Sequence, residues 1–347
     1  MGYTWPDLLT GLIGGEHLSA DASSWAMDEI LAGNTTPVQL AGFLVALRAK
    51  GETVDEIAGL AQSMLERATP IALDRRSVDV VGSGGDRANT VNVSTMAAIV
   101  AAGAGARVVK HGNRAASSAC GAADVLEELG VVLNVRPERQ AEVLDAAGIV
   151  FLFAPLYHPS LRHAATARSE LGIQTPFNFL GPLANPARPT AQAVGIANHR
   201  MAALVAGVLA RRGTQGLVFH GDDGLDELTT TTTSDVWLIG DGDVRATTLD
   251  PAELGLAAAA RDDLVGGSAA RNAEVVREVL AGAPGPVRDI VVLNAAAALL
   301  AFDKPDRNGD VTAQLAQRVQ RAEESIDTGA AARVLTDWVE ATQAVAG

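Results

Sequence analysis

The chain is predicted to be α/β, with a small all-helical N-terminal domain over residues 1–69 and a larger α/β domain over 70–347 on a mostly parallel central sheet. Three observations predict this. Residues 1–67 carry helical signals only. Beyond Thr69-Pro70, short β-branched runs alternate with helical stretches, as in a parallel sheet with helices on its faces. Residues 154–189 hold six prolines and pass from sheet to helix and back. Helices from about 155–189 are therefore expected to rejoin the N-terminal domain, with a hinge and a cleft at the crossing.

The elements follow in order. Ser23 and Ser24 precede an amphipathic stretch through Ile30 and Leu31. Thr36-Pro37 has the form of an N-cap with proline in the first turn, opening a helix that runs to Ala49 and stops at Gly51. Thr53 with Glu56 forms a capping box for a helix through Met64, each side chain satisfying a backbone N–H that the first turn leaves free. Residues 77–81 read as a strand ending in glycines, followed by a helix over 94–102, a strand over 107–110 and a helix over 122–129. Further strands are expected over 131–135, 149–153, 192–196 and 217–220. The threonine-rich segment 229–249, with turns at Asp241-Gly and Asp243, reads as extra strands, and from Pro284 the chain is helical again.

Composition narrows the function classes. Hydrophobic residues make up 48% and charged residues 20%, the balance of a folded globular protein. With aromatics at only 4%, Ala, Val and Leu must fill most of the core. The net charge of −14 repels a phosphate backbone, and the basic residues are scattered, Arg75-Arg76 and Arg211-Arg212 being only short pairs. No nucleic-acid partner is expected, and an anionic ligand must be attracted locally. The one cysteine, Cys120, excludes an intrachain disulfide and a cysteine-based zinc site. The N-terminus lacks the features of a secretory signal, and the longest apolar run, 290–302, is too short to span a bilayer. A cytoplasmic location without membrane partners is expected.

Four segments carry chemistry. Gly82-Ser-Gly-Gly-Asp86 directly follows a strand, and glycines let backbone N–H groups approach phosphate oxygens. It lacks the Gly-Lys-Ser/Thr of a Walker loop, and alone it is also readable as a strand-to-helix turn. Asn89-Thr-Val-Asn-Val-Ser-Thr95 then places hydroxyls and amides at a helix N-terminus, where anions are favoured, although Ser94 and Thr95 also suit plain caps. Lys110-His-Gly-Asn-Arg-Ala-Ala-Ser-Ser118 follows another strand and reads as a second phosphate loop or a solvated basic one. His220-Gly-Asp-Asp-Gly-Leu-Asp-Glu227 brings adjacent carboxylates to a strand end, which suits magnesium. Asp222 and Asp223 read as a solvent-facing turn, leaving Asp226 and Glu227 as the metal pair. His158 and His163 are five apart and read as capping or packing residues, whereas His111 lies inside the loop.

Together with Arg168-x-x-Leu-Gly and Phe177-Asn-x-x-Gly-Pro-Leu-x-Asn-Pro186, these segments occur in the order that resembles the anthranilate phosphoribosyltransferases of tryptophan biosynthesis, over nearly the whole chain. The resemblance implies transfer of the phosphoribosyl group of 5-phosphoribosyl 1-pyrophosphate (PRPP) to the amine of anthranilate. It implies that Gly82, Gly85, Asp86, Thr90, Asn92, Val93, Ser94 and Thr95 bind PRPP, with Lys110, His111, Gly112, Asn113, Arg114, Ala115, Ala116, Ser117, Ser118 and Ala122. Gly82, Asn113 and Arg168 match positions that contact anthranilate, and His111 and Pro182 look like walls of its access channel. Ser94, Asp226 and Glu227 match magnesium ligands, with two ions per active site implied, and a homodimer through the N-terminal helices is implied as well. No residue is implied as an acid or base; catalysis would be electrostatic, through the metal ligands and Lys110. One departure is Ser83, where the family more often has threonine; the hydroxyl is kept. The nearest rival, a pyrimidine nucleoside phosphorylase, would read Lys-His-Ser where this chain has Lys110-His-Gly-Asn. A non-catalytic nucleic-acid-binding relative would need the basic surface this chain lacks.

Overall fold

The computed structural model describes residues 2–115 and 119–346. Four helices open the chain: α1 (Trp5–Ile13), α2 (Ala20–Ala32), α3 (Pro37–Lys50) and α4 (Val54–Glu66). The capping reading holds for the last two, since the Thr36 and Thr53 hydroxyls accept the N–H of Gln39 and Glu56 while those side chains reach back to the cap N–H. The expectation at Ser23-Ser24 is corrected. Ser19 is the cap of α2, and Ser23 lies buried inside the helix, facing α4.

The sheet begins with β1 (Val78–Gly82), then α5 (Val93–Gly103), β2 (Val108–Gly112), α6 (Ala122–Glu128), α7 (Gln140–Ala147) and β3 (Ile149–Phe153). Short helices α8 (Ala154–Tyr157), α9 (Arg162–Leu171) and α10 (Phe177–Leu180) cross back, followed by β4 (Ala191–Gly195), α11 (His199–Arg211), β5 (Gln215–Gly221), β6 (Ser234–Gly240) and β7 (Asp243–Leu249). Helices α12 (Ala269–Leu280), α13 (Pro286–Asp303), α14 (Val311–Asp327) and α15 (Ala330–Val345) complete the chain. The strand order is β3-β2-β1-β4-β5-β6-β7, parallel from β3 through β5 and antiparallel at β6 and β7. The fold class is as expected.

The strand expected over 131–135 is absent. Val131, Leu133 and Val135 are buried in alternation, which imitates a strand. The Val132 N–H, however, donates to the Thr342 hydroxyl of α15 rather than to a neighbouring strand. The extra strands start only at Ser234, because Thr229–Thr233 is loop held by side-chain hydrogen bonds to Asp222 and Asp223.

Two hydrophobic cores result from the pleat, which sends successive side chains to opposite faces. Ala193, Leu217, Phe219, Val236 and Leu238 face the core shared with α5 and α13. Val194, Val218, Trp237 and Ile239 face the other core, shared with α11, the four N-terminal helices and Ala164, Ala167, Phe177 and Phe179. No helix among the described residues is long and apolar enough to cross a membrane.

Helices α2 and α4 pack so closely at Gly59 that an added Cβ would sit 2.1 Å from the Ala20 carbonyl oxygen. Gly42 on α3 would meet only the Leu9 side chain, at 3.7 Å. Gly59→Ala is expected to lower stability by about 3 kcal/mol. Gly42→Ala is expected to raise it by up to about 1 kcal/mol through helix propensity. Urea unfolding midpoints of the two variants check the contrast.

Candidate active site

Strands β1 and β4 lie side by side, but the chain leaves β1 toward β2 and leaves β4 toward β5. At such a switch point the loops diverge and open a crevice beyond the carboxyl ends of the strands, the favoured ligand position in open α/β sheets. A cavity of about 380 Å³ lies there. The last residues of the two strands, Gly82 and Gly195, are register partners.

The loop after β1 forms one wall. Gly84 and Gly85 adopt φ of 70° and 85°, the left-handed region that glycine enters without steric cost, and Arg87 and Asn89 follow at 60° and 52°. Ser83 accepts the Ala197 N–H through its hydroxyl, tying this loop to the residues after β4. Asp86, Thr90, Asn92, Val93 and Ser94 continue the wall into α5. Asn92 occupies the N-cap position without capping the helix; it donates to the Cys120 carbonyl at 3.2 Å and accepts from Asn272 at 2.9 Å. Thr95 alone of this group does not line the cavity: it is buried beneath it.

Lys110, His111, Gly112, Asn113, Arg114, Ala115 and Ala122 form the opposing wall after β2. Ala116, Ser117 and Ser118 lie outside the described residues. Lys110 is buried, and its ammonium donates to the Val80 carbonyl and, at 3.2 Å, to the Ser94 hydroxyl. Burial lowers its pKa, and Asp79, Glu227 and Asp226 oppose that shift. Arg114 is engaged by Asp124 and Glu127 and lies over the Phe153 ring.

The Asp226–Glu227 pair closes the floor. An added Cβ on Gly195 would lie 1.6 Å from the Asp226 carbonyl oxygen, and one on Gly82 would lie 2.2 Å from its carboxylate. Only glycine at both strand ends admits this turn. The Asp226 carboxylate accepts the Gly84 N–H at 2.7 Å. Burial, then the neighbouring Asp86 charge, pushes Asp226 up to about 7, and burial with Asp226 pushes Glu227 well up. Asp86 is raised by burial too. Three carboxyl groups are thus held together at the expense of their ionisation, an arrangement that a cation would relieve. Asp222 and Asp223 stay out of the cavity and bind threonine hydroxyls.

The third side comes from the crossing helices. Arg168 is partly buried with its guanidinium 5.1 Å from the Phe177 ring centre, it has no ion-pair partner among the described residues, and burial lowers its pKa. Pro182, Asn178 and Met64 of α4 line the same side. His158, expected to cap or pack, does pack: its Nε2 lies 2.8 Å from the Ala184 carbonyl oxygen and its ring stands edge-on to His111 at 5.3 Å. It also lines the cavity. Sequence reasoning missed Asp79 and Asn185. Buried Asp79 accepts the His111 N–H and the Asn185 side-chain amide, which also donates to the Val109 carbonyl. A carboxylate inside an otherwise apolar strand was the available signal for Asp79.

Burial, then the neighbouring His158, lowers the His111 pKa from 6.5 to about 3. His111 therefore stays neutral in the fold at pH 5 while the unfolded chain protonates, so this residue removes stability as pH falls below 6.5. Asp79, raised to about 6, acts in the opposite sense between 3.8 and 6. His111→Gln removes only the first contribution. Between pH 7 and 5 the wild type is expected to lose about 2 kcal/mol more stability than the variant, measured by urea unfolding.

Comparison with known proteins agrees with this geometry. Residues 6–68 match the model of the glycosyl transferase family helical bundle domain, and residues 74–332 match that of the glycosyl transferase family a/b domain. The chain is 60% identical over 342 residues to an anthranilate phosphoribosyltransferase of Arthrobacter sp. (strain FB24), covering 99% of this chain and 97% of that one. Among solved structures, anthranilate phosphoribosyltransferase from Thermus thermophilus superposes with a TM-score of 0.89 at 41% identity, covering 97% of this chain and 99% of that one. The Saccharomyces cerevisiae enzyme in complex with PRPP and Mg superposes with a TM-score of 0.87 at 27% identity, covering 98% of each chain. Two domain models matched in order, and end-to-end likeness to relatives of one name, establish that the chain belongs to the anthranilate phosphoribosyltransferase family.

Proposed function

We propose that this cavity transfers the phosphoribosyl group of PRPP to the amine of anthranilate, giving N-(5-phosphoribosyl)anthranilate and pyrophosphate, in tryptophan biosynthesis. The observation that carries the reading is the convergence of the glycine loop, the α5 N-terminus, the loop after β2 and the acid pair on one cavity. In this reading Gly82, Gly85, Asp86, Thr90, Asn92 and Ser94 cradle PRPP with the 110–118 loop, while Asn113 and Arg168 hold anthranilate beside His111 and Pro182.

The aromatic amine is neutral near pH 7, so no base is needed to expose its lone pair. The difficult event is departure of pyrophosphate from the anomeric carbon. The glycine loop and the positive end of the α5 dipole face the charge that develops there. Lys110 fixes the Ser94 hydroxyl from behind and holds positive charge near the acid pair. Arg168 pairs with the anthranilate carboxylate and orients the amine, its guanidinium lying over the Phe177 face with no ion-pair partner among the described residues.

Magnesium fits the donors present. Among the described residues no three histidine, cysteine, aspartate or glutamate side chains form a closed metal cage. Magnesium prefers one or two carboxylates completed by substrate oxygens and water. Ser94, Asp226 and Glu227 would hold it, and when bound it supplies neutralisation of the leaving pyrophosphate. Two ions per site is the resemblance's implication, which this reading keeps.

The same reading takes 1–69 as one domain rejoined by 155–189, and a homodimer through the N-terminal helices. Ile13 and Val38, apolar yet 81% and 82% exposed, support that surface. A cytoplasmic location suits a chain with one cysteine.

Loss of anthranilate fluorescence on mixing with PRPP tests the reaction: it is expected with magnesium, and expected to fall to background with EDTA. No loss under either condition, with thymidine phosphorolysis instead, would replace the reading. Arg168→Ala is expected to raise the anthranilate KM about 10- to 100-fold, with the PRPP KM nearly unchanged. Equal weakening of both would remove Arg168 from the acceptor side.

A further inference from the structure

A second cavity, of about 210 Å³, lies at the opposite edge of the same β1/β4 seam. Its walls come from the segment before β1, the segment 183–192 leading into β4, the turn before β5 and the end of α4. Three of its lining residues are arginines, Arg75, Arg188 and Arg212, and none is acidic. In a chain of net charge −14 this is an unusual local sign. None of the three arginines has an ion-pair partner among the described residues.

Their existing bonds go to main-chain carbonyls and leave donors over. Arg75 Nε donates to the Arg188 carbonyl, Arg188 donates to the Leu65 carbonyl, and Arg212 Nη1 donates to the Leu183 carbonyl. The Arg212 Nη2 is buried with no hydrogen-bond partner among the described residues. A buried unpaired donor on a charged group is costly, and two guanidinium groups held together add repulsion. Burial, then the positive Arg188, lowers Arg212 to about 10. The floor adds neutral polar side chains, Gln192 and Asn185, which are anchored to the Pro182 and Val109 carbonyls.

We propose that this cavity is a second anion site, distinct from the catalytic one, that takes a phosphate group, either free inorganic phosphate or a small phosphomonoester. Three guanidinium groups lining a pocket of this size can match the tetrahedral oxygens of phosphate, and a bound dianion cancels the repulsion between Arg188 and Arg212. Neither Arg75 nor Arg188 lines the catalytic cavity, so both are open to substitution without touching it.

The test is a thermal-shift titration of the full chain with inorganic phosphate and, separately, ribose 5-phosphate, at constant ionic strength set by chloride. Because phosphate also suits the catalytic loops, the wild type is compared with Arg75→Gln/Arg188→Gln and with Thr214→Glu, which places a carboxylate at the cavity rim. Both variants are expected to keep wild-type kcat and PRPP KM in phosphate-free buffer, and to bind the tighter of the two probes at least tenfold more weakly. Tighter binding of inorganic phosphate identifies the free ion as ligand; tighter binding of ribose 5-phosphate identifies a monoester. Titrations superimposable among wild type and both variants, or a shift reproduced by chloride alone, would overturn the proposal.

Discussion

The seating of one turn against two strand ends organises this molecule. Asp226 lies so close to Gly82 and Gly195 that a single Cβ on either would overlap it. That contact joins the two halves of the sheet at the point where their loops diverge, and it sets the acid pair beneath the phosphate-type loops. Beside it the chain turns through Gly84 and Gly85 at positive φ, and the Gly84 N–H donates to the Asp226 carboxylate. A substitution at either strand end would therefore displace the acid pair as well as strain the fold.

The electrostatics follow the same geometry. Three carboxyl groups crowd one floor, and burial before all else raises the pKa of each. Lys110 lies near but is spent on Val80 and Ser94. In the proposed reading the protein supplies position and magnesium supplies charge balance, so an acidic chain can take strongly anionic substrates without a basic surface.

Much of this was legible in the sequence because local chemistry dictates it. The Thr36 and Thr53 boxes are short-range features, as are the strand-end glycine loop, the turn into α5 and the Lys110 loop; the structure places the described candidate residues of these last three around one cavity, with the exception of Thr95. Thr95 was unreadable because one helical step separates a residue facing the cavity from one facing the core. Residues 131–135 misled because alternating burial does not reveal whether a strand or a helix supplies the backbone partner. Asp79 and Asn185 are 106 residues apart, and no local pattern marks their bond. The arginine cavity was visible only as two short basic pairs; topology brought Arg75 and Arg212 to one cavity and added Arg188.

The division of the core has a consequence for how the chain comes to be folded. The four N-terminal helices share their hydrophobic interior with α9, α10, α11 and one face of the sheet. On a ribosome, where domains generally close from the N-terminus at about 5–20 residues per second, these helices emerge with half of their partners not yet made. They can close on one another, α2 against α4 and α1 against α3, but the face shared with α11 and the sheet stays open until Ala210 and the strands beyond it have left the tunnel. The segment that reads first is among the last to be completed.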